Sequence, residues 1–343
     1  DMRSFDTRTD RRAVLGGAGA LLLAGVGGAR ATSPKKTTKM NVMALPTHPG
    51  FALWAARELG FFKEEGLDVP PIAYFPSGPA AIAAGYAGAW DGGYLGGPPT
   101  VSAGVKYDLQ VVGLNNVQMT NYEVFVRNDA AGSDNLETYL PGKTALTAVG
   151  SNMQYFLNAC LEKHKVKPSS IKMVNVKPPN IPAAADGGQG DIISSWYPFT
   201  ESLEKSGRYR PICKTNAEAG VNTYDFYVVR PAFAKEHPEA TIGFLRAVYR
   251  VNDMLRTKLN EALPLAERYF NEVGLKLSPE LIKGGFLTQD YPSIEESLKR
   301  IRSGEVQKAL ESTSEFLVEI GSLDKKANVK FVTAKFLEKV AAK

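Results

Sequence analysis

Four short loops carry the residues best placed to do chemistry: Thr47-His48-Pro49-Gly50, Ser77-Gly78-Pro79, Gly96-Gly97-Pro98-Pro99 and Gly150-Ser151-Asn152-Met153. Each is rich in small residues and precedes a stretch whose apolar spacing predicts a helix. A helix N-terminus leaves its first backbone N–H groups unpaired and carries a partial positive charge, so such loops hold small anions without needing an arginine. Taken singly, each loop also reads as ordinary capping and turn chemistry. Their recurrence in both halves of the chain is what points to a ligand. Pro98 and Pro99 remove donors from the third loop, which ranks below the others. His48 either donates to an anion or caps the helix that follows.

Aromatic residues gather in or near these loops, most of them suited to core packing, with Trp196, Tyr197 and Tyr224 the best candidates for walls of a cleft. Asn222 and Thr223, and before them Asn115, Asn116 and Gln118, are placed to add polar contacts. Catalytic patterns are missing. The three histidines show no H-E-x-x-H spacing, and no G-x-S-x-G elbow, P-loop or dinucleotide fingerprint occurs. His164 and His237 lie in charged contexts that predict solvated side chains. Hence no catalytic residue, metal or cofactor is expected.

The elements that must position these loops alternate between strand and helix through the first two thirds of the chain, which predicts an α/β fold around parallel sheets. Strands are expected at 39–45, 67–75, 90–95, 109–114 and 122–127. The pattern then restarts at 143–148, 171–176 and 192–196. Beyond Ala232 the chain reads as almost wholly helical, with Pro238 opening one helix and Ser293 capping another. Glu123–Arg127 and Phe226–Arg230 are β-rich runs that each end in arginine and bracket the second α/β unit. They read either as ordinary core strands or as two crossovers between lobes. The second reading places 37–127 and 228–343 in lobe one and 128–227 in lobe two, with a hinge that closes on a ligand.

Residues 1–31 read as an export signal: Arg11-Arg12, an apolar stretch from Ala18 to Val26, and Ala29-Arg30-Ala31 as a cleavage site. That pattern is of the twin-arginine type and predicts a periplasmic protein. The apolar run is too short and too glycine-rich for a membrane anchor. Its removal takes away five basic and three acidic residues, so the formal charge of +5 falls to +3, no footprint for nucleic acid. Cys160 and Cys213 are open to either reading, a disulfide or two buried thiols.

Several of these residues carry a family resemblance. Pro49-Gly50, Trp54-Ala55-Ala56 and the run Glu58-Leu59-Gly60-Phe61-Phe62-Lys63-Glu64-Glu65-Gly66-Leu67-Asp68-Val69 resemble the opening block of solute-binding proteins from nitrate, sulfonate and taurine ABC importers. Gly78-Pro79-Ala80-Ala81, Gly150-Ser151 with Leu157, and Gly190-Asp191 leading to Ser195-Trp196-Tyr197-Pro198 resemble later blocks. The resemblance implies a type II two-lobed periplasmic binding protein fold with two crossover strands and C-terminal helices. It also implies a receptor, expected as a monomer, that encloses a small organic anion and delivers it to a membrane permease. Tyr197 stands where the family often has aspartate. A phenol there removes a negative charge, which disfavours amine-bearing ligands and leaves sulfonates and carboxylates, including aromatic ones.

The expected site is Thr47, His48, Ser77 and Gly78 facing Ser151 and Asn152, with Asn116, Trp196, Tyr197, Asn222 and Tyr224 around them. A neutral aromatic or pyrimidine ligand stacked on Trp196 and Tyr197 is the alternative. A related branch of the fold makes a thiamine pyrimidine precursor, but it implies a cysteine cluster that this chain lacks and a cytoplasmic setting that the signal contradicts.

Overall fold

The computed structural model describes residues 37–342, and the expected export signal at 1–31 lies outside the described residues. Two sheets organise these residues, one of six strands and one of five, with a further two-stranded pair. In the first sheet Val42–Ala44 lies between Ala73–Tyr74 and Gly92–Gly96, parallel to both. Thr223–Val229 then pairs antiparallel with Gly92–Gly96 and with Gln110–Gln118, and Gln289–Asp290 closes the far edge. In the second sheet Thr144–Thr147 lies between Lys172–Asn175 and Ile192–Trp196, again parallel. Tyr122–Arg127 runs antiparallel beside Ile192–Trp196, and Tyr209–Cys213 pairs with it on its other side.

The α/β reading holds, with local differences. The strand expected at 67–75 breaks into Leu67–Asp68 and Ala73–Tyr74, because Pro70 and Pro71 have no N–H to give a ladder. Thr38–Lys39 pairs with the first fragment and Val42–Ala44 with the second. As expected, Pro238 stands at the start of a helix, Pro238–Thr257, and Ser293 closes a capping box with Glu296. Helices pack against the sheets through side chains such as Phe51, Trp54, Tyr249 and Phe270, all buried.

The crossovers fall earlier in the chain than expected. Tyr122–Arg127, assigned from sequence to lobe one, belongs to the second sheet, and Thr223–Val229 belongs to the first. The chain therefore passes between sheets over 119–121 and returns over 214–222. The two β-rich runs are core strands of opposite sheets, equivalent in position, and the connections precede them.

Cys160 and Cys213 form a disulfide, with Cα atoms 6.1 Å apart, joining the helix Asn152–Lys163 to the strand Tyr209–Cys213. His164, expected in solvent, is half-buried, with Nε2 3.2 Å from the Ile212 carbonyl oxygen. His237 is exposed, as expected. No helix among the described residues is long and apolar enough to cross a membrane.

Candidate ligand cleft

The C-terminal ends of the parallel strands in the two sheets converge on one cleft. This is where open α/β sheets place ligands, since the loops there lead into helix N-termini. Thr47, His48, Gly78, Ser151, Asn152, Trp196 and Tyr197 of the expected set line it. Ser77, the N-cap residue before Gly78, makes no side-chain capping bond, and its hydroxyl is free of that role.

The second sheet contributes a rigid helix start. Gly150 adopts φ +74°, a conformation glycine takes without strain. Ser151 Oγ then accepts from the Met153 N–H at 3.2 Å and donates to the Ala148 carbonyl at 2.6 Å. Asn152 reaches across to the first sheet. Its Oδ1 accepts the Gly97 N–H at 3.0 Å, while Nδ2 donates to Tyr122 OH at 2.9 Å and to Asp225 Oδ1 at 3.3 Å. Gly96 permits that approach, because a Cβ there would lie 2.5 Å from Asn152 Nδ2. The Gly97 donor is thus already engaged, in keeping with the low rank of its loop.

His48 differs from expectation. It is buried, its Nε2 lies 3.1 Å from the Ile282 carbonyl oxygen, and its ring packs on Phe270 and Phe286 with centroids 4.6 and 4.9 Å away. Burial lowers its pKa from 6.5 to about 3, so it sits there as neutral imidazole and brings no positive charge to an anion. Thr47 Oγ1 is 2.5 Å from Tyr94 OH, so the first loop is tied to a tyrosine that also lines the cleft.

Asp225 is the residue that sequence reading missed. It lines the cleft, 4% exposed, and accepts from Gln118 Nε2 at 2.5 Å as well as from Asn152. Burial raises its pKa to about 7, opposed by hydrogen bonds from Gln118, Asn116 and Asn152. Asn116 stands opposite it on the neighbouring strand Gln110–Gln118, donates to Gln289 Oε1 at 2.5 Å, and is not among the residues lining the cleft. Strand parity explains the miss. Successive side chains of a strand face opposite ways, so Asp225 facing the cleft turns Asn222 and Tyr224 away from it. Tyr224 OH instead donates to Glu305 Oε1 at 2.6 Å, and Asn222 and Tyr224 border a separate small void. The available signal was a lone carboxylate heading the apolar run Phe226–Val229.

Tyr94, Tyr122, Trp196 and Tyr197 give the cleft aromatic walls, and no lysine or arginine lines it among the described residues. Trp196 Nε1 is buried with no hydrogen-bond partner among the described residues, a donor in want of an acceptor. Tyr197 reaches the helix Pro279–Leu287, where Gly284 makes room for it: a Cβ there would lie 2.7 Å from the phenol oxygen.

A cleft between two such sheets, at the ends of their parallel strands, is the arrangement of the periplasmic binding protein fold. The family model described as NMT1/THI5 like matches residues 48–258, and the chain belongs to that family. The taurine-binding periplasmic protein of Escherichia coli (strain K12) is 28% identical over 287 residues, covering 81% of this chain and 86% of that protein. A putative aliphatic sulfonates-binding protein of Bacillus subtilis (strain 168) is 26% identical, covering 82% and 81%. Among solved structures, the alkanesulfonate-binding protein SsuA from Xanthomonas axonopodis pv. citri bound to MOPS superposes with a TM-score of 0.69 at 19% identity, covering 87% of this chain and 99% of that one.

Proposed function

We propose that this chain is the extracytoplasmic receptor of an ABC importer and that it closes two lobes on a small organic anion, a sulfonate or a carboxylate. Lobe one is built on the six-stranded sheet and lobe two on the five-stranded sheet. They bend about the connections at 119–121 and 214–222, and the closed receptor delivers its ligand to a membrane permease. The twin-arginine pattern at 1–31 fits export to the periplasm, the compartment in the name of the taurine-binding relative from Escherichia coli. No catalytic constellation is part of this reading.

The observation that carries it is the lining of the cleft: the start of the helix Gly78–Tyr86, an unpaired indole N–H at Trp196, and no lysine or arginine side chain among the described residues. Such a site holds an acid group by oriented N–H and O–H dipoles. Asp225, which also lines the cleft, adds an acceptor, so the ligand carries a hydrogen-bond donor, neutral or ammonium, beside its acid group. That revises the expectation from Tyr197, since a carboxyl lost at one position is supplied at another. The aromatic walls keep a neutral stacked ligand as the second reading.

A thermal-shift panel of alkyl and aryl sulfonates, aminosulfonates, carboxylates, nitrate, bicarbonate and pyrimidines separates them, because only a true ligand raises the melting temperature by mass action. At least one sulfonate or carboxylate should do so, losing roughly tenfold or more in affinity in Trp196→Ala. A shift produced by pyrimidines alone would replace this reading with the stacking one. Solution scattering with no compaction on ligand addition would remove the closure mechanism.

A further inference from the structure

We propose that reduction of the Cys160–Cys213 disulfide opens a binding site for a thiophilic divalent cation of the zinc class, with His164 as the third protein ligand. The site lies in the second sheet, apart from the cleft, and is independent of the ligand reading above.

Cys160 and His164 are four residues apart at the C-terminal end of the helix Asn152–Lys163, so they share one face of it. Cys213 ends the strand Tyr209–Cys213 opposite. The two sulfurs and a ring nitrogen all lie within 4.8 Å of one another, and among the described residues no other group of three or more histidine, cysteine or acidic side chains is so placed. Tetrahedral zinc, with bonds of about 2.3 Å to sulfur and 2.0–2.1 Å to imidazole, sets its ligand atoms roughly 3.5–3.8 Å apart. His164 Nε2 is 4.0 Å from Cys213 Sγ, close to that spacing before any rearrangement.

The sulfurs are buried and His164 is half-buried, which leaves the imidazole side open for a water as fourth ligand. A dication with two thiolates is neutral overall, the form that a buried position tolerates. To bind, Nε2 gives up its contact with the Ile212 carbonyl and the ring proton resides on Nδ1.

The chemistry balances with a phosphine or a dithiol as reductant. The S–S bond takes up two electrons and two protons to give two thiols. The phosphine becomes its oxide with oxygen from water, or the dithiol closes to its own disulfide. The cation then displaces both thiol protons. The metal would take over the cross-link between helix and strand that the disulfide makes in the oxidised protein.

The test uses the whole chain, reduced with a phosphine, desalted without oxygen and titrated with Co2+ alone. One equivalent should bind, with near-ultraviolet sulfur-to-cobalt charge transfer and the visible bands of a tetrahedral site, and Zn2+ should displace them. Zn2+ should raise the melting temperature of the reduced protein and leave the oxidised protein unmoved. His164→Ala keeps the disulfide, so it can be purified folded. After reduction it should bind Co2+ at least tenfold more weakly with altered visible bands, and Cys213→Ser should abolish the charge-transfer band. Absence of the bands in reduced protein, identical bands in His164→Ala, or bands that arise only with an unfolded circular dichroism spectrum would each overturn the proposal.

Discussion

The two sheets repeat one another in their scaffold and differ where the third parallel strand ends. Before that strand each chain turns through a glycine with positive φ, Gly88 at +77° and Gly188 at +73°. Each turn is closed by the same backbone bond, Ala89 N–H to Ala84 O at 3.2 Å and Gln189 N–H to Ala184 O at 3.1 Å. Asp91 and Asp191 then accept from the first strand, from the Asn41 N–H at 2.8 Å and the Thr144 N–H at 3.3 Å. The arginine ending the antiparallel neighbour donates its own N–H to each aspartate's carbonyl, Arg230 to Asp91 at 2.8 Å and Arg127 to Asp191 at 3.0 Å. At the far end the likeness stops. The first sheet finishes in Gly96-Gly97, which makes room for the Asn152 side chain, and the second in Trp196-Tyr197, which offers aromatic walls. A scaffold can thus be held twice by the same local bonds while its strand ends diverge, because those ends line the cleft.

A second difference is the disulfide, present in the second sheet alone among the described residues, and it supplies the largest expected effect. Its removal in Cys160→Ala/Cys213→Ala frees a loop with a sequence separation of 53 and should lower unfolding free energy by about 4 kcal/mol in urea titrations. A loss below about 1 kcal/mol would mean that the second sheet holds itself without its cross-link.

Next come two buried groups whose pKa values move in opposite senses. For Asp225 the folded pKa, about 7, lies above the ordinary 3.8. As pH rises from about 4, the unfolded chain releases this proton first, so stability falls between about pH 4 and 7 and stays lowered above. Asp225→Asn should flatten that slope and raise stability at pH 8, by on the order of 1–2 kcal/mol after the loss of one hydrogen bond. Thermal melts at pH 4.5 and 8 that show the same difference as the parent would refute the shift. His48 acts on the acid side. With a folded pKa of about 3 against 6.5, the unfolded chain takes up a proton that the folded chain refuses, and stability falls as pH drops from about 6.5 towards 3. His48→Gln, which keeps a donor for the Ile282 carbonyl, should lessen this acid slope in the same melts.

The smallest effect separates two helix starts. Ser151→Ala removes a formed cap and should cost about 1 kcal/mol, whereas Ser77 makes no such bond and Ser77→Ala should stay within about 0.5 kcal/mol. Equal losses in chemical denaturation would erase the distinction between the two loops.

Much of the fold was legible because it is locally encoded. Apolar periodicity marked the helices, Pro238 and Ser293 marked two of their starts, and the glycine-bearing loops marked strand ends that now line the cleft. Other features have no local encoding. The parity that turns Asp225 inward and Tyr224 outward depends on how Thr223–Val229 is seated between two neighbours. The burial that makes His48 neutral comes from the helix Pro279–Leu287 and from Phe270, more than 200 residues further along the chain.

What the sequence determined by itself was therefore the kind of element at each position and the family motif blocks, since turn chemistry, capping and periodicity act over a few residues. What only the tertiary structure decided was which sheet each crossover strand joins, which face each strand shows to the cleft, and whether Cys160 meets Cys213. These are matters of pairing between distant segments, and the resulting burial, rather than residue type, sets the charge of the groups enclosed there.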